Sequence, residues 1–281
     1  MRIKPLHELI IGIKGAGEMA TAVAWRLYMA HIRQIFMMET AQPMAVRRMV
    51  SFCEAIYSGS QAVENVTAVR RDDPSAISTA WENKSIAVGA DPEWSLVESM
   101  RPDVIIDAIL AKKNLGTSLS EAPLVIGLGP GFRANHDAHL VVETRRGHHL
   151  GRIIDSGVAE KNTGVPGNIA GFSHERVLWS PADGRFNTSF AITDQVRRNE
   201  MIGEVGGIKI IAAIDGVIRG LIRPGIKVKK GTKLGDIDPR GKIDYCDTIS
   251  DKARAIAGSV LEAILRQYNR TKIDQSSVTS Q

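Results

Sequence analysis

The chain has 281 residues, of which 43% are hydrophobic, 24% charged and only 5% aromatic, with a formal charge of +5. That suits a soluble α/β-sized chain of one large or two smaller units with an aliphatic core, and no apolar run approaches the ~20 residues of a membrane helix. The basic surplus is spread over short pairs such as Arg70-Arg71, Arg197-Arg198 and Lys229-Lys230, with no basic tail or aromatic interleaving, which speaks against nucleic acid and for an anionic small molecule.

In chain order, Leu9-Ile10-Ile11-Gly12-Ile13 reads as a buried strand that runs into Lys14-Gly15-Ala16-Gly17-Glu18-Met19-Ala20 and then a helical pattern over 21–28. Gly15 permits a tight turn, Gly17 a close approach of backbone to a phosphate, and Ala20 close packing of helix on strand. Ile35-Phe36-Met37-Met38 is a second strand ending in Glu39, an acidic residue at the distance where a ribose hydroxyl finds its acceptor. Glu39 favours NAD over NADP; Arg47 and Arg48, close behind, blur that choice.

Residues 43–60 read as helical, 66–69 and 86–88 as short strands, and 93–100 as a short helix. Val104-Ile105-Ile106-Asp107-Ala108, Leu124-Val125-Ile126-Gly127-Leu128 and Leu140-Val141-Val142-Glu143 read as strands covered on both faces. The strand over 124–128 leads into Gly129-Pro130-Gly131-Phe132, and if it neighbours the strand over 9–13 the two glycine loops form one crevice. Four histidines cluster at His136, His139, His148 and His149; no Cys-x-x-Cys pattern accompanies them, so an anion-binding or proton-handling patch fits better than a metal site.

After residue 150 glycine and proline punctuate the chain. Short strands and tight turns over about 205–240 resemble the half-barrels of biotinyl and lipoyl carrier domains, with Ile218-Arg219-Gly220 at the hairpin position that carries the modified lysine in those domains. Ser250 reads as the N-cap of a helix over about 250–268, and 270–281 as a polar, disordered end. The expected fold class is therefore α/β: a Rossmann-like, mainly parallel sheet over 1–150, then a β-rich barrel-sandwich-like domain over 151–281 with a C-terminal helix. Cys53 reads as buried and inert, and Cys246, in a polar turn, as the more reactive thiol. Two distant cysteines make no disulfide framework, and the N-terminal residues lack the apolar core of a signal peptide, so the expected location is cytoplasmic.

Five blocks carry a resemblance: Ile13-Lys14-Gly15-Ala16-Gly17-Glu18-Met19-Ala20-Thr21, Arg47-Arg48-Met49-Val50-Ser51-Phe52, Gly127 to Phe132, Glu143-Thr144-Arg145-Arg146-Gly147-His148, and Lys233 to Arg240 with Ile249 to Ala253. Together they resemble the accessory proteins of selenium-dependent molybdenum hydroxylases, and the N-terminal part is similar to the Rossmann domain of XdhC-type molybdenum-cofactor insertion chaperones. Glu18-Met19 departs from the Asp-Leu expected in many relatives. The resemblance implies a maturation factor for a molybdenum hydroxylase client, with a nucleotide-like or molybdopterin-type phosphate ligand. In that reading Gly15, Ala16, Gly17, Glu18 and Glu39 sit at one end of the crevice, Gly129, Gly131 and Arg133 close the other, and Arg145, Arg146 and His148 supply charge. It transfers no catalytic residue. Two other readings stand beside it: an NAD(P)-dependent oxidoreductase using His136 or His148 as proton donor, and a non-catalytic docking module. A homodimer is possible through an edge strand or the last helix.

Overall fold

The structure, a computed structural model, describes residues 4–269. The polar, disordered end expected over 270–281 lies outside the described residues. Nine strands form one sheet: β1 (Ile10–Lys14), β2 (Gln34–Glu39), β3 (Ser60–Val63), β4 (Val66–Arg70), β5 (Ile86–Ala90), β6 (Val104–Asp107), β7 (Leu124–Leu128), then, beyond β8 (Arg133–Ala134), β9 (Leu140–Val142) and β10 (Ile153–Ile154). Their spatial order is β10-β9-β7-β6-β1-β2-β5-β4-β3. The central pairs are parallel, and both edges, β3 on β4 and β10 on β9, are antiparallel.

This corrects the expected fold class: the sheet is mixed, not a Rossmann-type parallel sheet. A βα glycine turn reports one local unit, whereas edge pairing is set by turns and tertiary contacts. The β3–β4 hairpin shows this. Glu64 and Asn65 at its tip both have positive φ, 43° and 68°, the backbone of a two-residue turn whose twist matches antiparallel strands.

The strands after β10 are also arranged otherwise than expected. β11 (Gly157–Val158) pairs with β8. β12 (Val177–Trp179), β14 (Gln195–Val196), β17 (Gly216–Leu221) and β19 (Lys233–Asp238) form one antiparallel sheet; β13 (Gly184–Asn187), β15 (Met201–Val205), β16 (Ile208–Ile211) and β18 (Lys227–Val228) form another. The barrel-sandwich expectation placed Ile218-Arg219-Gly220 at a hairpin tip. These residues lie inside β17, at a bulge against β19, where Gly220 is pressed against the backbone of Val46.

Helices α1 (Glu18–Met29) and α5 (Asp251–Tyr268) pack together in the core on one face of the nine-stranded sheet. Ala20, Val23, Ala24 and Leu27 of α1 and Ile256, Ala257, Val260 and Ile264 of α5 are all buried; small residues let the two helices approach. The last helix therefore shares a core with the first strands, and Ser250 caps it by accepting from the Ala253 N–H, as its sequence position predicts. Two short helices cover the sheet: α3 (Pro74–Glu82), which the sequence reading missed although Asp73-Pro74 is a cap followed by proline at the first helical position, and α4 (Ser95–Met100). Residues 43–60, expected to be helical, hold only single turns and the four-residue α2 (Ala55–Ser58); here Arg47 pairs with Glu18 of α1, Glu54 pairs with Arg223 in the turn after β17, and Arg48 donates to the Leu221 carbonyl of β17.

At the far end of α5 the Tyr268 hydroxyl donates to the Asp103 carbonyl at 2.9 Å. Burial, then the Asp103 carboxylate, push its pKa up to about 12. An unfolded tyrosine ionises near pH ~10, so the fold favours the neutral phenol. Stability from this contact is fully present below pH ~10 and is lost as pH rises through about 12. A phenolate absorbance titration is expected to show a late-ionising tyrosine that Tyr268→Phe removes; loss of an ordinary step instead would refute the assignment.

Candidate functional site: a basic cleft at the carboxyl edge of the large sheet

The carboxyl ends of β1, β2, β5, β6 and β7 open onto a cleft of about 1220 Å³, where open α/β sheets place their ligands. At the end of β1, Gly15 has φ +88°, and a Cβ there would stand 3.3 Å from the Ile109 backbone. Its N–H donates to the Met38 carbonyl at 2.7 Å. The Ala16 N–H donates to Glu39 Oε2 at 2.9 Å, and the other Glu39 oxygen accepts from the Thr40 N–H at 2.8 Å. Glu39 thus clamps the glycine turn from below. Gly17 follows as the N-cap of α1, and a Cβ there would meet nothing within 4 Å. α1 begins at Glu18, so the N–H groups of its first turn have no acceptor within the helix and carry its positive dipole end toward the cleft.

The opposite wall comes from later segments. Arg47, 6% exposed, donates to Glu18 at 3.2 Å and to the carbonyls of Tyr245 and Thr248 at 2.8 and 2.9 Å. Arg176 pairs with Asp236, and Arg219, from the β17 bulge, reaches the same carboxylate at 3.8 Å. Lys233 opens β19 and Lys252 lies in the first turn of α5. Glu18 also accepts from the Ser250 hydroxyl at 2.8 Å, so the N-termini of α1 and α5 are tied to one carboxylate. Eight basic residues line the cleft against four acidic ones. Trp94, Trp179, Met44, Leu115 and Val165 also line it, and all but Trp94 are exposed by more than a third, which gives flat apolar surface beside the charge.

Beneath the cleft lies a buried polar cluster. Lys14, wholly buried at the end of β1, donates to Thr117 Oγ1 and Glu121 Oε1, both at 2.8 Å, and sits 5.3 Å from the Trp94 ring centroid. Thr117 in turn donates to Asp107 at 2.7 Å; burial raises the Asp107 pKa. These bonds hold down the 108–121 loop that carries Ile109, Leu110, Lys112 and Leu115 along the cleft.

Of the residues expected from sequence to form the site, Gly15, Gly17, Glu18, Glu39, Arg145 and Arg146 line the cleft. Ala16 is fully buried behind it. β1 and β7 are not neighbours, since β6 runs between them, and of the second glycine loop only Pro130 reaches the cleft. Gly129 and Gly131 serve packing: a Cβ at Gly129 would stand 2.4 Å from Thr144 Oγ1, and one at Gly131 2.6 Å from the Lys113 backbone, both at positive φ. Arg133 and His148 are exposed and do not line the cleft. Arg145 pairs with Glu160 at 2.7 Å, and Arg146 makes a two-pronged bond to Asp251 at 2.8 and 2.9 Å. Glu143, 2% exposed, accepts the N–H groups of Arg145 and Glu160 at 2.7 Å each and so joins the two loops.

Neither His136 nor His148 lines the cleft; His136 bonds the adjacent Asp137. His139 accepts the Val125 N–H through Nδ1 at 2.9 Å, and burial lowers its pKa. Among the described residues no group of three or more His, Cys, Asp or Glu could hold a metal ion. Cys53 is buried, with its pKa raised by burial. Cys246 is equally buried, 1% exposed, its thiol 3.8 Å from the Ile218 carbonyl, so the polar residues around it in sequence misreport its setting.

Arg47, Arg176, Arg219, Lys233 and Lys252 went unrecognised as a group because they come from five distant segments. Arg219 alone leaves a local trace: a charge in the apolar run Val217-Ile218-Arg219-Gly220-Leu221 that strand alternation would bury.

Fold and cleft define this chain as an α/β protein with a strongly basic, apolar-rimmed cleft at the carboxyl edge of a nine-stranded mixed sheet. No protein-family model matches the chain. It is 44% identical over 259 residues to the "Uncharacterized protein YqeB" of Escherichia coli (strain K12), an alignment covering 92% of this chain and 48% of that protein. The chain thus spans about half the length of the curated relative it matches. Similar solved structures include an aspartoacylase family protein from Mesorhizobium loti (11% identity, 81% of this chain and 84% of that one, TM-score 0.27) and the product-bound ectoine utilization protein EutE (DoeB) from Ruegeria pomeroyi (10% identity, 82% and 84%, TM-score 0.25). Such scores carry neither the fold nor the activity of those proteins to this chain. The expected resemblance to selenium-dependent molybdenum hydroxylase accessory proteins and molybdenum-cofactor insertion chaperones is corrected: the relative is described only as uncharacterized, and the structures found are of aspartoacylase, desuccinylase and ectoine-utilization proteins. Among the described residues no helix is long and apolar enough to cross a membrane.

Proposed function

We propose that the cleft binds a phosphate-bearing, nucleotide-like small molecule. The observation that carries this reading is the open N-terminus of α1 behind Gly17, facing a cleft lined by twice as many basic as acidic residues. Backbone N–H groups and a helix dipole favour a phosphate there, and the exposed Trp179 offers a base or other flat ring a face to stack on. Glu39 keeps the turn in shape and leaves Gly17 free for the ligand. A cytoplasmic location belongs to the same reading, since Cys53 and Cys246 are both free and buried.

Calorimetric titration with ADP and with NAD tests it. Binding of at least one in the micromolar range, about −8 kcal/mol, is expected, with mass spectrometry of small molecules released from freshly purified protein naming the native ligand. Absence of binding by both nucleotides, with no phosphate compound released, refutes it.

A further inference from the structure

The positive surplus of the cleft is concentrated where α1 and α5 converge on the β17–β19 pair. Arg47, Arg176, Arg219, Lys233 and Lys252 line it there, and only Glu18 and Asp236 oppose them within the lining; Asp251 and Asp238 are engaged by Arg146 and Arg240. Three positive charges are left over within the lining, and Glu143, behind Lys252 and bonded only to backbone N–H groups, offsets one of them, leaving two. The arginines are held in place: Arg47, Arg176 and Arg219 are at most 8% exposed and bonded to carbonyls or Asp236, yet the buried Nε of Arg47 has no acceptor. The two lysines are the free donors. Lys233 comes no closer than 3.9 Å to Asp236, and the Lys252 ammonium makes no hydrogen bond or ion pair among the described residues. Such a surplus, partly withdrawn from water, is costly until an anion fills it. Two helices of 12 and 18 residues point their N-termini at the same place.

We propose that Lys233 and Lys252 select a terminal phosphomonoester, a group of charge about −1.5 to −2 at neutral pH, over a phosphodiester of charge −1. This rests on the ligand reading above and narrows its ligand class. A monoester matches the surplus charge and offers three oxygens to the two ammonium groups and the helix N-termini; a diester leaves the wall undercompensated. Lys252 faces Arg146, Glu18, Glu143 and Asp251; Lys233 faces Asp236, Arg176, Glu18 and Arg219. Burial is the main reason both ammonium pKa values lie below the ordinary lysine value, and a bound dianion would bring them back up.

The test combines nucleotide affinity with NMR of the intact protein carrying 13C at lysine Cε. ADP, whose terminal phosphoryl group is singly substituted and dianionic like a monoester, is expected to bind at least about tenfold more tightly than NAD, whose two phosphoryl groups are each doubly substituted and singly charged like a diester, and the Lys233→Gln/Lys252→Gln variant is expected to erase that preference. Inorganic phosphate is expected to raise the pKa of the two low-titrating lysines, and dimethyl phosphate to leave them unchanged. NAD binding as well as ADP, or an unaltered preference in the variant, overturns the proposal while leaving the nucleotide reading intact. If neither nucleotide binds and no phosphate compound is released from the purified protein, that reading fails and the phosphate titration alone decides: movement of both lysines upholds the monoester subsite, and fixed lysines refute it. Should the double variant fold poorly, the titration on unaltered protein still decides.

Discussion

Asp236→Ala is expected to cost this protein about 3–5 kcal/mol of folding stability, the usual result of removing one partner from a buried ion pair. Asp236 is 5% exposed and is the carboxylate that pairs with both Arg176 and Arg219, themselves 7% and 8% exposed. Without it, Arg176 loses its carboxylate and Arg219 keeps only Asp238, at 3.8 Å, while both stay buried beside a third guanidinium, Arg47. Repulsion then acts across the seam that joins β12, β17 and β19 to α1 and α5. Asp236→Asn keeps an oxygen acceptor for Arg176 and is expected to lose less. Equilibrium unfolding in urea reads both as shifts of midpoint. A loss below about 1 kcal/mol for the alanine variant would mean the arginines find water or other acceptors, and would remove Asp236 as the organiser of this wall.

Gly17→Ala is the corresponding change at the opposite wall, and its effect falls on binding. Gly17 has φ −73° and its added methyl would touch nothing in the protein, so folding is expected to change by no more than the about 1 kcal/mol of an altered N-cap. The methyl would, however, occupy the space a phosphate needs to reach the first-turn N–H groups of α1. ADP affinity is expected to fall by about tenfold to a hundredfold, or ~1.4–2.8 kcal/mol. Gly15→Ala gives the contrast: φ is +88° and a methyl would press on the Ile109 backbone, so about 1–2 kcal/mol of stability goes first. Calorimetry and thermal unfolding of the two variants separate these roles. An unchanged ADP affinity in Gly17→Ala would place the phosphate elsewhere in the cleft.

Local physics made much of the chain readable in advance. Continuous apolar runs marked β1, β2, β6 and β7, since strands covered on both faces need no polar alternation. Gly15 and Gly17 between a strand and an amphipathic pattern marked the turn and the start of α1, and Ser250 marked the start of α5 through its capping hydroxyl. Where side chains must answer to distant partners, the local pattern failed. The helical spacing of 43–60 gave way to Arg47, Arg48 and Glu54 reaching other segments, and Asp73-Pro74 was passed over because α3 shows few apolar residues to set a period. His136 and His148, prominent by clustering, ended on the surface, because clustering in sequence says nothing about which face of a loop meets the cleft.

Sequence by itself determined the elements whose energetics are local: apolar strands, the glycine turn, the capped helix ends and the absence among the described residues of a membrane-length apolar helix. Only the tertiary structure decided the mixed sheet, with antiparallel edges made by hairpin geometry, and the basic wall, in which residues 47, 176, 219, 233 and 252 meet across more than two hundred positions. The physical reason is that charge is additive in space and blind to chain order: one arginine in a strand is a local exception, whereas five basic groups around two carboxylates, with two helix N-termini among them, make a field that exists only once the chain has folded.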